Sequence, residues 1–290
     1  MALTINTNLS SMLVQKNMNA STTALNTAIQ RMTTGYRINS AKDDAAGMAV
    51  AIKLDTQLSS YDVASQNVQM GSAMLTTVEE NSNLVLGHLQ RIRDLAEQAA
   101  NGVYDSTSKS AISAEINARL QEINRLSGSV EFNGKSLLKG DAGTVKVQVG
   151  INGGADDAID VSGALYNAAP THANMLGSTF GNTASGGNAI VASVCGSEAS
   201  VTATFKAIDD AIDNVKTKMT TLGALQNRLD SAADSIEVAR SNTASALSTV
   251  RDADVSTESS NYIKAQILQQ AAASLLTTAN QTPSIALNLI

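Results

Sequence analysis

The chain has no tryptophan, two prolines and one cysteine in 290 residues. With only Pro170 and Pro283 to interrupt it, little forbids long helices through 1–169 and 171–282. A single thiol, Cys195, excludes an internal disulfide framework and any cysteine-based zinc site. It reads as a small side chain in a surface loop. Aromatic residues are 3% of the chain, so a core must come from Ala, Leu, Ile, Val and nine Met. Charged residues are 16%, below the ~25% usual for soluble domains. No uncharged apolar stretch reaches the ~20 residues of a membrane span, and no membrane insertion is expected. Residues 1–6 lack a basic region followed by an apolar one, so a cleaved secretory signal is not expected. A net charge of −6 argues against nucleic acid as a partner, because phosphate binding needs a basic face.

Charge is also missing locally. Asp and Glu are absent from the first 42 residues, Lys and Arg from 147–205, and every charge from 265–290. Glycine is concentrated instead: thirteen of nineteen lie between Gly128 and Gly196. A middle of strand, turn and loop therefore separates two helical arms.

The arms carry apolar periodicity. Leu75, Val78, Ser82, Val85, Leu89, Ile92, Ala96 and Ala99 follow the alternating three-and-four spacing of a coiled-coil seam. A longer series runs from Ile208 through Ile212, Val215, Met219, Leu222, Gln226, Leu229, Ala233 and Ile236 to Arg240, Thr243, Leu247 and Val250. Between them, Ile112, Ile116, Leu120 and Ile123 form a third stripe, on a helix that Asp105 or Ser106 would cap after a break near Asn101-Gly102. Ser40 and Asp43 have capping-box spacing, which predicts a helix start there. The alternation 144–149, then Asn152-Gly153-Gly154, then 158–161 predicts a β-hairpin near 144–161. The Gly/Ser/Thr/Asn-rich run 167–200 has the composition of a solvent-facing loop or small surface patch.

The fold class that follows is mainly α: a long antiparallel helical rod or coiled-coil bundle with a small β-hairpin. At the two ends, Leu9, Leu13, Leu25, Ile29 and Met32, and Ile263, Ile267, Leu268, Leu275 and Leu276, make apolar stripes on segments unusually poor in the charges that keep an exposed helix in water. A lone helix of this kind is marginal in solution, so these ten residues are the candidate self-assembly contacts.

Catalytic and metal chemistry find no support. Gly134-Lys135-Ser136 resembles the end of a phosphate loop, but the required earlier glycine would sit at 129, where the chain has Ser129. Asp156, Asp157 and Asp160 suggest a cation site, as do Asp252, Asp254, Ser256 and Glu258, whose calcium-loop spacing lacks the sharp-turn glycine; both sets read as helix caps or solvated loop carboxylates. His88 and His172 stand apart, neither in a zinc-protease pattern nor beside a nucleophile elbow. No enzyme activity and no cofactor are expected.

The arms carry longer motifs. Ile5-Asn6-Thr7-Asn8 and Thr33-Thr34-Gly35-Tyr36-Arg37-Ile38-Asn39-Ser40-Ala41-Lys42-Asp43-Asp44-Ala45-Ala46-Gly47 resemble the N-terminal region of bacterial flagellin. So do Leu89-Gln90-Arg91-Ile92-Arg93-Asp94-Leu95-Ala96 and Phe132-Asn133-Gly134, and, at the other end, Gly223-Ala224-Leu225-Gln226-Asn227-Arg228 and Lys264-Ala265-Gln266-Ile267-Leu268-Gln269-Gln270-Ala271.

The resemblance implies a self-assembling subunit of the extracellular filament that drives swimming, exported through the flagellar type III apparatus. It implies N- and C-terminal helices paired in an inner-core domain of residues 1–43 with 256–290, a helical rod domain of 44–165 with 204–255, and a short variable surface segment at 166–203. Implied partners are other copies of the chain, hook-associated and cap proteins, an export chaperone on the C-terminal arm, and the Toll-like receptor for flagellin. For that receptor the resemblance carries over Gln90, Arg91, Leu95 and Glu115. Glu97, Val255 and Ile290 depart from the family pattern, which often has an apolar residue, Tyr and Arg there. The competing readings are a hook–filament junction protein, a type III secreted membrane-active translocator, and a flagellin carrying a protease insert.

Overall fold

A computed structural model describes residues 7–140, 143–169 and 186–287. Its described helices are α1 (Leu9–Thr34), α2 (Ala45–Ala100), α3 (Ser106–Ser129), α4 (Gly186–Val194), α5 (Glu198–Arg251) and α6 (Val255–Leu287). Two small antiparallel strand pairs join them, β1 (Glu131–Phe132) with β2 (Lys135–Ser136), and β3 (Lys146–Gln148) with β4 (Ala158–Asp160). By contacts the chain divides into two units, residues 59–240 and residues 1–58 with 241–290. Both dividing points fall inside a helix, α2 and α5, rather than at the helix starts near 44 and 255.

In the 59–240 unit the periodicity of the sequence becomes a core. Every member of the seam from Leu75 to Ala99 is buried, as are Ile112, Ile116, Leu120 and Ile123 on α3. From α5, Ile208, Ile212, Val215, Leu222, Leu229 and Ile236 join them, one residue per turn or two. The polar members of these series are satisfied rather than stranded. Ser82 accepts a 3.0 Å hydrogen bond from the Tyr166 hydroxyl, and Gln226 donates to Glu79 at 2.9 Å. Burial pushes the Tyr166 phenol up, with the Ser82 bond acting in the opposite sense. Arg240, where the apolar character of α5 breaks, pairs with Asp62 at 2.6 Å.

The β pairs are seated on this bundle. Asn133 and Gly134 both take left-handed backbone (φ 50° and 76°), the type I′ geometry of a two-residue hairpin, so the turn read at Phe132-Asn133 also carries a strand pair. In the second pair Val147 faces Ile159 across the ladder and both are buried. Val147 approaches α2 at Gly71, where an added Cβ would stand 2.8 Å from its Cγ2; only glycine admits that approach. The acidic residues nearby are turn acceptors. Asp157 takes the amides of Asn152 and Gly154 at 3.1 and 3.0 Å, and Asp160 takes that of Ser162 at 2.9 Å.

Two local expectations change. Ser40 does not cap α2. Asp44 does, accepting from the Gly47 amide at 2.9 Å, while Asp43 closes the preceding turn by accepting from the amides of Asn39 and Ser40 and the Ser40 hydroxyl. Those bonds, the Ser40 hydroxyl first, hold the Asp43 carboxyl below the usual carboxylate range. The second change concerns the run read as surface loop. Within it α4 forms and packs on α3, with Ile190, Val191 and Val194 buried; residues 170–185 lie outside the described residues. Asp105 caps α3 as expected, through the Ser108 amide at 2.8 Å.

The second unit pairs α1 with α6. Asn8 donates to the Ala279 carbonyl at 2.7 Å, Gln269 to Thr22 at 3.1 Å, and Arg31 to Glu258 at 3.0 Å, a descending register that makes the two helices antiparallel. Among the described residues, those buried on α1 and α6 are small, Ala28, Ala265, Ala272 and Ala279, joined by Glu258. Gly35 ends α1 in left-handed backbone (φ 73°), its amide returning to the Arg31 carbonyl at 2.9 Å. The next residues clasp the end of α5. Arg37 donates to the Arg251 carbonyl at 2.7 Å, Ala253 donates to that of Gly35 at 2.9 Å, and the Arg251 guanidinium stands 3.9 Å over the Tyr36 ring. Asp254 then caps α6 through the Ser256 amide at 2.8 Å.

Candidate assembly surface

The paired helices present their large apolar side chains to solvent. Leu9 is 75% exposed, and Leu13, Ile29 and Met32 on α1 and Ile263, Ile267, Leu268 and Leu275 on α6 are exposed as well; Leu25 and Leu276 are half-buried. Inter-helix contact thus uses alanine, and the larger residues point away. Small residues let two helices approach closely, which leaves Leu and Ile nothing to bury against within the pair. Sequence reading left out Val50 and Ile52 at the start of α2, exposed in the same unit. Their signal is present in the sequence as apolar positions outside any α2 seam.

Sequence reading also left out the ion pair between the two helices. Glu258 is 7% exposed and its partner Arg31 is half-buried. Arg31 and Glu258 flank an open groove of about 730 Å³ between α1 and α6, lined otherwise by Ala24, Thr27, Ala28 and Leu268 among others. Asp and Glu are absent from 1–42 and all charge from 265–290, so this pair is the principal electrostatic register mark between the two helices.

On the 59–240 unit, the four residues singled out on α2 and α3 separate. Gln90 and Arg91 are exposed, and Arg91 reaches Glu115 on α3 at 3.1 Å. Arg119 holds the same carboxylate at 3.0 Å, and these two guanidiniums, Arg119 first, keep Glu115 below the usual carboxylate range. Leu95 is not with them. It is 2% exposed and belongs to the hydrophobic core, whereas Arg91 one turn earlier reaches solvent. His88 is half-buried 3.4 Å from Arg119, its imidazole held below its ordinary value by desolvation first and the guanidinium second. His172 lies outside the described residues. Lys135 and Ser136 of the phosphate-loop look-alike are strand β2, and Cys195 is exposed with its sulfur 3.6 Å from the Ala99 carbonyl.

Comparison with known proteins also finds two helical regions, one at each end of the chain. The family model of the bacterial flagellin N-terminal helical region matches residues 5–142, and that of the C-terminal helical region matches 205–290. The chain belongs to the bacterial flagellin family. It is 32% identical to a flagellin of Listeria innocua over 99% of both chains. It is 46% identical to the B-type flagellin of Pseudomonas aeruginosa over 178 residues, 61% of this chain and 35% of that longer protein. A solved structure from Vibrio parahaemolyticus, described as a flagellar hook-associated protein, superposes with a TM-score of 0.61 at 20% identity, covering 72% of this chain and all of that one. At that identity the likeness speaks for the fold alone. Flagellins are structural subunits of the extracellular flagellar filament and not enzymes. No described helix is long and apolar enough to cross a membrane.

Proposed function

We propose that this flagellin polymerises through the α1–α6 pair, whose helices are held by burial against other copies. The observation that carries this reading is the row of large apolar side chains left in solvent on both helices, where the pair itself buries alanine. Each large side chain removed from water contributes about 1.5–3 kcal/mol, while ordering each backbone residue costs ~1–2. A pair that buries so little is marginal alone and gains stability as neighbours cover it. Head-to-tail contacts that do not close produce a helical fibre. Low charge suits the interior of such an assembly, since an unpaired buried ion costs several kcal/mol.

Sulfate, which strengthens apolar burial, should promote polymerisation of the full chain. Electron microscopy should then find long filaments, and none from chains lacking 1–30 or 260–290. Equal polymerisation by the truncated chains contradicts the reading. Long filaments also separate it from a junction protein, and absence of liposome leakage from a membrane-active translocator. Hook-associated and cap proteins at the filament ends, and an export chaperone on α6, are the partners this reading requires.

A second surface rests on Gln90, Arg91 and Glu115, exposed or half-exposed together across α2 and α3. In this reading they meet the Toll-like receptor for flagellin, with Leu95 beneath. Arg91→Ala should weaken binding of the receptor ectodomain, and unchanged binding contradicts it.

A further inference from the structure

Arg91 and Leu95 are one helical turn apart on the same face of α2, yet the Arg91 side chain is 47% exposed and Leu95 only 2%. The contacts of α4 bear on that difference. At one end Asn188 is hydrogen-bonded to Ser113 on α3; at the other, Cys195 just beyond α4 places its sulfur 3.6 Å from the Ala99 carbonyl on α2. Arg91 lies opposite Glu115, so the next turn of α2, which contains Leu95, lies opposite Ile112. That is the level α4 crosses, with Ile190, Val191 and Val194 buried.

Little holds α4 in helical form except this docking. It has nine residues, two of them glycine and three β-branched, short of the ~12 at which isolated helices become even marginal. Among the described residues, its polar tethers sit at its ends. Besides the Asn188–Ser113 bond, Thr204 donates to the Ser193 hydroxyl at 2.7 Å and Ser200 to the Ser193 carbonyl at 3.0 Å, fixing its C-terminal end to the first turns of α5.

We propose that α4 is a detachable cover over Leu95, so that the α2–α3 receptor surface is complete only when α4 lifts. The inference rests on the receptor reading of Gln90, Arg91 and Glu115, and adds its regulation by the chain's own middle segment. In the closed form the receptor meets polar residues alone. In the open form Leu95 adds an apolar contact, and apparent affinity scales with the open fraction.

The test combines hydrogen exchange on the full chain with binding of the receptor ectodomain. The amides of 189–194 should exchange at least ~10-fold faster than those of 89–99, because α4 opens locally while the seam does not. Ile190→Ser, which removes the central docking side chain, should speed α4 exchange further and tighten ectodomain binding by up to ~10-fold, a gain cancelled by Leu95→Ala. Asn188→Ala, which loosens one tether without touching the core, should act in the same direction more weakly and serves if Ile190→Ser perturbs the helical content. Amides in α4 as protected as those of α2, or an opened α4 with unchanged affinity, overturn the proposal. Unchanged binding of the Arg91→Ala chain instead overturns the receptor reading and leaves the exchange contrast standing.

Discussion

Two helices of similar length behave oppositely. α3, of 24 residues, buries Ile112, Ile116, Leu120, Ile123 and Leu126; α1, of 26, buries Ala28 alone. Both are amphipathic in sequence and both carry their large side chains at helical spacing. The difference is what each faces. α3 has α2, α4 and α5 around it in one core, whereas α1 has α6, and their contact is made of alanine. Amphipathicity therefore specifies that a face will be covered, not that the same molecule covers it. In the 59–240 unit the chain completes its own burial. In the other it leaves burial to be completed.

Removing 1–30 or 260–290 should have the largest effect on that contrast, abolishing polymerisation while the cooperative melt of the 59–240 unit stays. Next come single truncations read in two assays. Leu120→Ala should cost about 2–5 kcal/mol in a urea melt of the monomer. Leu13→Ala or Ile267→Ala should change that melt by no more than about 0.5 kcal/mol, yet raise the concentration needed to form filaments. A Leu13→Ala chain that melts like Leu120→Ala erases the distinction between the units. Glu258→Ala, which leaves Arg31 half-buried without its carboxylate, should lower the temperature at which filaments come apart, with little change in the monomer melt.

The smallest effect is electrostatic. Asp105 at the start of α3 and Asp254 at the start of α6 are both held below the usual carboxylate range, by their bonds to Ser108 and Thr257 first. A lowered carboxyl stabilises the fold above its unfolded-state value and loses that contribution as pH falls through the folded value. The helix starts should therefore fray only below about pH 4. Asp105→Asn keeps an N-cap acceptor without the charge, and should flatten that acid response for α3, measured by exchange of the Ser108 amide.

Most of the bundle was legible because a three-and-four repeat allows only one buried face. Leu75 to Ala99 and Ile112 to Ile123 were assigned to the core from spacing alone, and the structure buries all of them. The pairing of β3 with β4 was legible from alternation. Three features were not. α4 lies in a Gly/Ser-rich run whose composition says loop, and nine residues are too few to show a helical period; its helicity comes from docking. Asp44 rather than Ser40 caps α2 because a chain entering a helix can place any of several acceptors over its first amides, a choice fixed by the turn at Asn39–Asp43. Leu95 was grouped with Arg91 by motif, and motif does not record which neighbour covers a side chain. The assembly residues were legible as apolar stripes, but their outward direction became visible only once Ala28, Ala265, Ala272 and Ala279 were seen between the helices.

Amide hydrogen exchange across α1 and α6, compared between dilute monomer and sedimented filament, tests the division of labour most directly. If neighbours supply the missing cover, these amides exchange within seconds to minutes in the monomer and become as slow as those of α2 near Leu89 in the filament. Slow exchange along both helices in dilute monomer, unchanged by polymerisation, would mean that the pair stands unaided.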